Sequence, residues 1–347
     1  MMKYSKRIFE AGIIILFIYI LIFSNSVIIS IYGNNSEEKV FLSQDKKTIV
    51  ATVSIAGDFV SNLVKDQAEV VSLVSGMEDP HSYEPTSSDL LALSNADMIV
   101  AMGVPNLESW LTSYLSDNPD REAVTIYAGD LTTMGKVDPL LGYVNGHIWM
   151  DPNNAKLMVK NIAVGLVNIA GMDNATITAN MNEYLQKLDQ LLIEIEDARS
   201  KWNGTKVVVD HPAFFYLFEL LGIKRIATIE TTEGSEPSAQ DIARIVNLMK
   251  EENCKLIIET YQQAKATTVD EIAKETGAKI AQLTALLGVE GANTYLDMIR
   301  FDLYQLEHPI EPEGSDSTFL NWDNYSLFIG LAILAIPVLV LRKKGEI

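Results

Sequence analysis

The chain has 347 residues and four histidines, His81, His147, His211 and His308, which are the side chains best suited to take part in transition-metal chemistry. Neutral imidazole is the commonest protein ligand for zinc and also suits manganese, iron and nickel. A mononuclear site takes three or four side chains, and these need not be close in sequence. For any single histidine a packed or surface role is the commoner one, so position must decide. The one cysteine, Cys254, excludes a disulfide framework and a cysteine-based structural zinc site. No Gly-x-x-x-x-Gly-Lys-Ser/Thr loop is present, so the chain does not itself hydrolyse ATP, and no His-Glu-x-x-His motif marks a metalloprotease. A formal net charge of -19 argues against nucleic acid as a partner, because phosphate binding needs clustered Lys and Arg.

The elements around these histidines are those of an α/β protein. Apolar runs at 48–55, 69–74, 97–101 and 123–127 predict strands, with helices over 58–65, 87–93 and 107–115. The pattern recurs with strands at 206–210, 225–228, 255–259 and 278–282 and helices at 213–221, 239–251, 267–276 and 294–306. Val- and Ile-rich runs without polar alternation suit parallel strands covered on both faces, and strand–helix alternation implies parallel sheets. Between the halves, 154–169 and 176–202 read as helices, the second long enough to brace two lobes. In open α/β sheets, ligands bind beyond the carboxyl ends of the strands. His211 directly follows the strand 206–210, His81 lies in the loop after 69–74, and His147 ends a long loop just before a helix. His308 falls in a polar stretch and reads as solvated.

The ends of the chain set an expected compartment. Lys3, Lys6 and Arg7 precede an apolar run and then Ser24-Asn25-Ser26, so residues 1–32 read as a secretory signal, with an N-terminal anchor as the alternative. Residues 33–46 read as a tether. Residues 325–341 carry no charge and are followed by Arg342-Lys343-Lys344, the pattern of a transmembrane helix with a short cytoplasmic tail at 342–347. The expected organisation is therefore an N-terminal α/β lobe (47–172), a linking helix (173–203), a C-terminal α/β lobe (204–306), a tether (307–324) and a single membrane span, with the lobes on the extracytoplasmic face of the cell membrane.

Several stretches resemble the motifs of the zinc/manganese solute-binding proteins of ABC importers, the cluster A-I family. Asp79-Pro80-His81-Ser82-Tyr83-Glu84-Pro85-Thr86 resembles the first histidine motif. Gly146-His147-Ile148-Trp149-Met150-Asp151-Pro152 resembles the second, and Asp210-His211-Pro212-Ala213-Phe214-Phe215-Tyr216 the third. Glu236-Pro237-Ser238, Ile257-Ile258-Glu259 and Tyr295-Leu296-Asp297-Met298-Ile299-Arg300 are similar to later signatures, so the likeness covers about residues 47–306. It implies two lobes bridged by a long helix, with His81 and His147 from the first lobe and His211 from the second holding Zn2+, or Mn2+ as the alternative, as the transported ligand. It also implies partners, an ABC permease with its cytoplasmic ATPase.

Two departures from the family stand out. Its usual carboxylate before the final helix is missing from Gln282-Leu283-Thr284-Ala285-Leu286-Leu287-Gly288, which leaves Glu259, at the end of a strand, as the expected fourth ligand or as an acid orienting a histidine. The loop 129–146 also lacks the His/Asp-rich insert common in the zinc branch. Two other functions fit the same residues. One is a membrane-anchored metal hydrolase with water in the fourth position of a three-histidine zinc. The other is a surface adhesion module on the same fold.

Overall fold

The structure, a computed structural model, describes residues 46–312 except 77, 79, 105, 231–235 and 264–266. The expected leader, the membrane span, and the tethers apart from Lys46 and residues 307–312 lie outside the described residues. Among the described residues no helix is long and apolar enough to cross a membrane.

Two four-stranded parallel sheets form the frame. The first contains β1 (Lys47–Val53), β2 (Ala68–Val74), β3 (Met98–Ala101) and β4 (Thr125–Tyr127), ordered β2-β1-β3-β4. The second contains β5 (Lys206–Val209), β6 (Lys224–Thr228), β7 (Leu256–Thr260) and β8 (Lys279–Leu283), ordered β6-β5-β7-β8. Each order reverses direction beside its first strand, which opens a crevice at the carboxyl ends. The central strands are apolar on both faces: β3 reads Met-Ile-Val-Ala, all buried.

Helices α1 (Ser54–Val64), α2 (Ser87–Asn95), α3 (Ser109–Asp117) and α4 (Pro152–Asn168) belong to the first lobe. Helices α6 (Phe215–Leu221), α7 (Ala239–Glu251), α8 (Thr267–Thr276) and α9 (Tyr295–Glu307) belong to the second. Between the two groups runs α5 (Asn174–Trp202), whose 29 residues span about 43 Å at ~1.5 Å per residue. Asp173 caps it by accepting from the Thr176 N–H at 2.8 Å. The helix holds both lobes: Asn180 Nδ2 donates to the Leu63 carbonyl at 2.8 Å, and Arg199 Nη1 to the Leu220 carbonyl at 2.6 Å. One apolar core passes through both sheets, from Ile49 and Val100 to Val207, Ile258 and Leu283.

Two local differences from the sequence reading have simple causes. Helix α1 begins at Ser54 rather than 58, because Ile55, Phe59 and Leu63 form a buried helical stripe that an unbroken apolar run conceals. Residues 307–312 are not a free tether. Glu307 ends α9, and Ile310 pairs antiparallel with Ile280, with N···O distances of 2.7 and 2.9 Å, which covers the outer edge of β8. A Pro/Glu-rich composition signals irregular backbone, and irregular backbone can still pack.

Candidate metal centre

Three loops deliver the histidines. The loop after β2 carries His81 and is pinned at both ends. At its start, Gln262 Nε2 of the second lobe donates to the Gly76 carbonyl at 2.7 Å. The Gly76 backbone also lies against Leu287 so closely that a Cβ there would sit 1.4 Å from the Leu287 carbonyl oxygen, so only glycine fits. At its end, Thr86 and Asp89 form a reciprocal capping box on α2, and the Tyr83 hydroxyl donates to Asp89 Oδ2 at 2.8 Å.

His147 opens a 3-10 turn, Ile148–Met150, that leads into α4. Asp151 caps that helix by accepting from the Asn153 N–H at 2.8 Å, with Pro152 at its first position. Trp149 is buried beside His147 and donates its Nε1–H to the Ala285 carbonyl at 2.8 Å, a direct bond to the second lobe.

His211 follows β5 at once. The buried Asp210 carboxylate accepts from the His211 N–H at 2.5 Å and from the Thr260 N–H at 2.6 Å, which ties the ends of β5 and β7 together. Burial pushes the Asp210 carboxyl above the usual range, opposed by these bonds from Thr260 and by the charge of His211.

The three rings converge. One nitrogen of each lies within 4.8 Å of the other two. Ring centroids are 5.0 Å apart for His147–His211 and 5.9 Å for each pair that includes His81. His81 is half-buried, while His147 and His211 are buried. His147 Nε2 and His211 Nε2 face each other at 3.1 Å.

Their other nitrogens are already committed. His147 Nδ1 lies 3.0 Å from Asn145 Oδ1, and His211 Nδ1 contacts Glu230 Oε2. Both partners are acceptors, so each Nδ1 carries a proton, and in the neutral form of each ring the lone pair is then on Nε2. At that distance the two nitrogens can share one proton in an N–H···N hydrogen bond, and a metal ion bound by both would take the place of that proton. Two nitrogens on one zinc, at ~2.05 Å and a tetrahedral angle, are separated by about 3.3 Å.

Burial holds the His147 imidazole well below its ordinary range, helped by the charges of His211, His81 and Arg225. It therefore stays in the neutral form that ligates.

Of the residues expected at the site, the structure brings His81, His147 and His211 together, and Glu259 does not join them. Glu259 and Gln282 are in register on neighbouring parallel strands, and Gln282 Nε2 donates to Glu259 Oε2 at 2.8 Å. An acid that contacts a histidine ring is Glu230, two residues beyond β6, which the sequence reading missed. Its position at the mouth of a strand, the same kind of position as His211 occupies, was the available signal. Asn145, which holds His147, was also missed. His308 lies away from the cluster, with its ring stacked on Tyr304.

Known proteins resemble this one along most of its length. The chain is 26% identical over 299 residues to the high-affinity zinc uptake system protein ZnuA of Bacillus subtilis (strain 168), covering 81% of this chain and 93% of that protein. It is 31% identical over 268 residues to the manganese-binding lipoprotein MntA of Halalkalibacterium halodurans, covering 74% and 85%. The Mn-bound periplasmic metal binding protein from Candidatus Liberibacter asiaticus superposes with a TM-score of 0.64 at 26% identity, covering 75% of this chain and 98% of that one. Residues 49–308 match the model of the family described as zinc-uptake complex component A, periplasmic, and the chain belongs to that family.

Proposed function

We propose that this chain is the extracytoplasmic receptor of an ABC importer, binding one divalent transition-metal ion between its lobes through His81, His147 and His211 and passing it to a membrane permease. The observation that carries this reading is the pair of imidazole Nε2 atoms facing each other at 3.1 Å with both Nδ1 atoms engaged by acceptors. The metal is cargo. Three nitrogen donors favour zinc, with manganese next, because manganese is better served by carboxylate and water oxygens. Glu259 is outside the ligand set in this reading. A fourth position is left for water or for an acid brought in when the metal binds. The chain is a binding protein rather than the hydrolase weighed against it, since the family and both quoted relatives are named for uptake or binding. Residues 325–341, uncharged and followed by Arg342-Lys343-Lys344, would hold the receptor beside its permease.

Titration of the metal-free protein with zinc and with manganese tests this proposal. The expected result is one zinc per chain, bound more tightly than manganese, and loss of that binding in His81→Ala, His147→Ala and His211→Ala. Zinc binding unchanged in all three variants would reject it. Fractionation of cells expressing the full chain tests the anchor: the protein should stay with membranes through a high-salt wash, and deletion of 325–341 should release it.

A further inference from the structure

Residues 136–145 form a small hairpin in the first lobe. It is closed by an antiparallel bridge between Val137 and Val144 and by the Asn145 N–H donating to the Lys136 carbonyl at 3.0 Å. The hairpin leads directly into His147. The second lobe grips it at three points. The buried Tyr216 hydroxyl accepts from the Lys136 N–H at 2.9 Å and donates to the Asn145 carbonyl at 2.7 Å, so one oxygen holds both ends. Arg225 Nη2 pairs with Asp138 Oδ1 at 2.5 Å; the two side chains are 5% and 0% exposed, and the guanidinium lies over the Phe215 ring. The Pro212 carbonyl accepts from Asn145 Nδ2 at 2.9 Å.

The Asn145 side chain is where these contacts meet. Its amide donates to Asp138 Oδ2 at 3.1 Å and to Pro212, and its oxygen accepts from the His147 N–H at 2.9 Å and faces His147 Nδ1. With two acceptors on its NH2 side, the amide has only one orientation that satisfies it. That orientation places an acceptor at His147 Nδ1, so a proton stays there and Nε2 is turned toward the centre, 3.1 Å from His211 Nε2. The usual partner that fixes a ligating histidine is a carboxylate or a backbone carbonyl. Here a neutral amide does this, and its own orientation is set by Pro212 of the second lobe and by Asp138 of the same hairpin, which Arg225 of the second lobe holds.

We propose that the 136–145 hairpin is a clasp through which the second lobe fixes the tautomer and aim of His147, with Asn145 as the positioning residue. The clasp makes the readiness of one lobe's ligand depend on contact with the other lobe, and opening it would loosen the ion for release. This inference rests on the metal-receptor reading above for its purpose, but not for its geometry.

The test combines long-range 1H–15N NMR of the histidine side chains in metal-free protein at pH 8 with zinc affinity and dissociation rates from chelator competition. The expected result is an Nδ1–H tautomer for His147 in the wild type, lost in Asn145→Ala together with an affinity weaker by about 10–100-fold. Tyr216→Phe keeps the buried ring, serves if Asn145→Ala does not fold, and should release zinc roughly 2- to 10-fold faster, as expected for the loss of one or two hydrogen bonds. Wild-type tautomer and affinity in Asn145→Ala, or an unchanged release rate in Tyr216→Phe, would overturn the clasp. A wild type with the Nδ1–H tautomer that takes up no zinc would leave the positioning role standing and refute the receptor reading instead.

Discussion

Two imidazole nitrogens rest 3.1 Å apart in a buried site, close enough to share one proton or one metal ion, and each is held there by a group on the far side of its ring. For His211 that group is Glu230. Glu230→Gln is therefore expected to weaken zinc binding by about 10–100-fold with little change in melting temperature, measured by competition titration and thermal unfolding. Protonation gives a second prediction. The folded chain holds His147 below the ~6.5 of a free imidazole, so the unfolded chain binds more protons as pH falls through that value. The contribution of His147 to the stability of the metal-free protein is therefore complete above about pH 6.5 and is lost below it. Urea unfolding at pH 7.5 and 5.5 should show the loss, and the difference should shrink in His147→Gln; an equal difference in that variant would assign the effect to other groups. The convergence of three histidines was legible in the sequence because strand mouths are few and three of four histidines fell on them. Glu230 and Asn145 were not, because a side chain that touches a ligand from behind leaves no spacing rule. Glu259 was singled out because it ends a strand, and a strand end fixes the level of a residue and not the direction of its side chain, which here accepts from Gln282.

The elements that position these groups depend on a few backbone commitments. Gly222 ends α6 in the left-handed region at φ 71°, and its amide and neighbours turn the chain into β6, which carries Arg225. A Cβ there would lie 2.4 Å from Asn203 Oδ1. Gly222→Ala is expected to cost about 1–2 kcal/mol, the penalty of left-handed backbone for an L-residue, with the steric conflict adding to it. Denaturant titration measures this cost; a neutral outcome would mean that the α6–β6 turn relaxes freely. Strands and helices were readable here because both lobes alternate apolar strand runs with helical patterns. The boundary between β1 and α1 was misplaced because both sides are apolar. The packing of Ile310 on β8 was invisible because a single bridge has no pattern.

The whole molecule combines two sheets, one spanning helix and a shared core with a site made from both lobes. Core residues of both sheets belong to one cluster, so the metal-free protein is expected to unfold in one cooperative transition, and calorimetry showing two separated transitions would contradict that continuity. Zinc should raise the transition temperature in a concentration-dependent way, by about 2.7 kcal/mol of added stability at a hundredfold excess over Kd. The two-lobe plan was legible from the repeated grammar of strands and helices. The way the lobes grip each other through Tyr216, Arg225 and Trp149 was not, since such contacts join residues far apart along the chain.

The central claim is that one ion sits among three imidazoles, and X-ray absorption at the zinc edge of the loaded protein measures this most directly. The account predicts three imidazole nitrogens at about 2.0–2.1 Å per zinc, falling to two in His211→Ala. A first shell made mainly of oxygen, or a spectrum unchanged when the histidines are replaced, would contradict it.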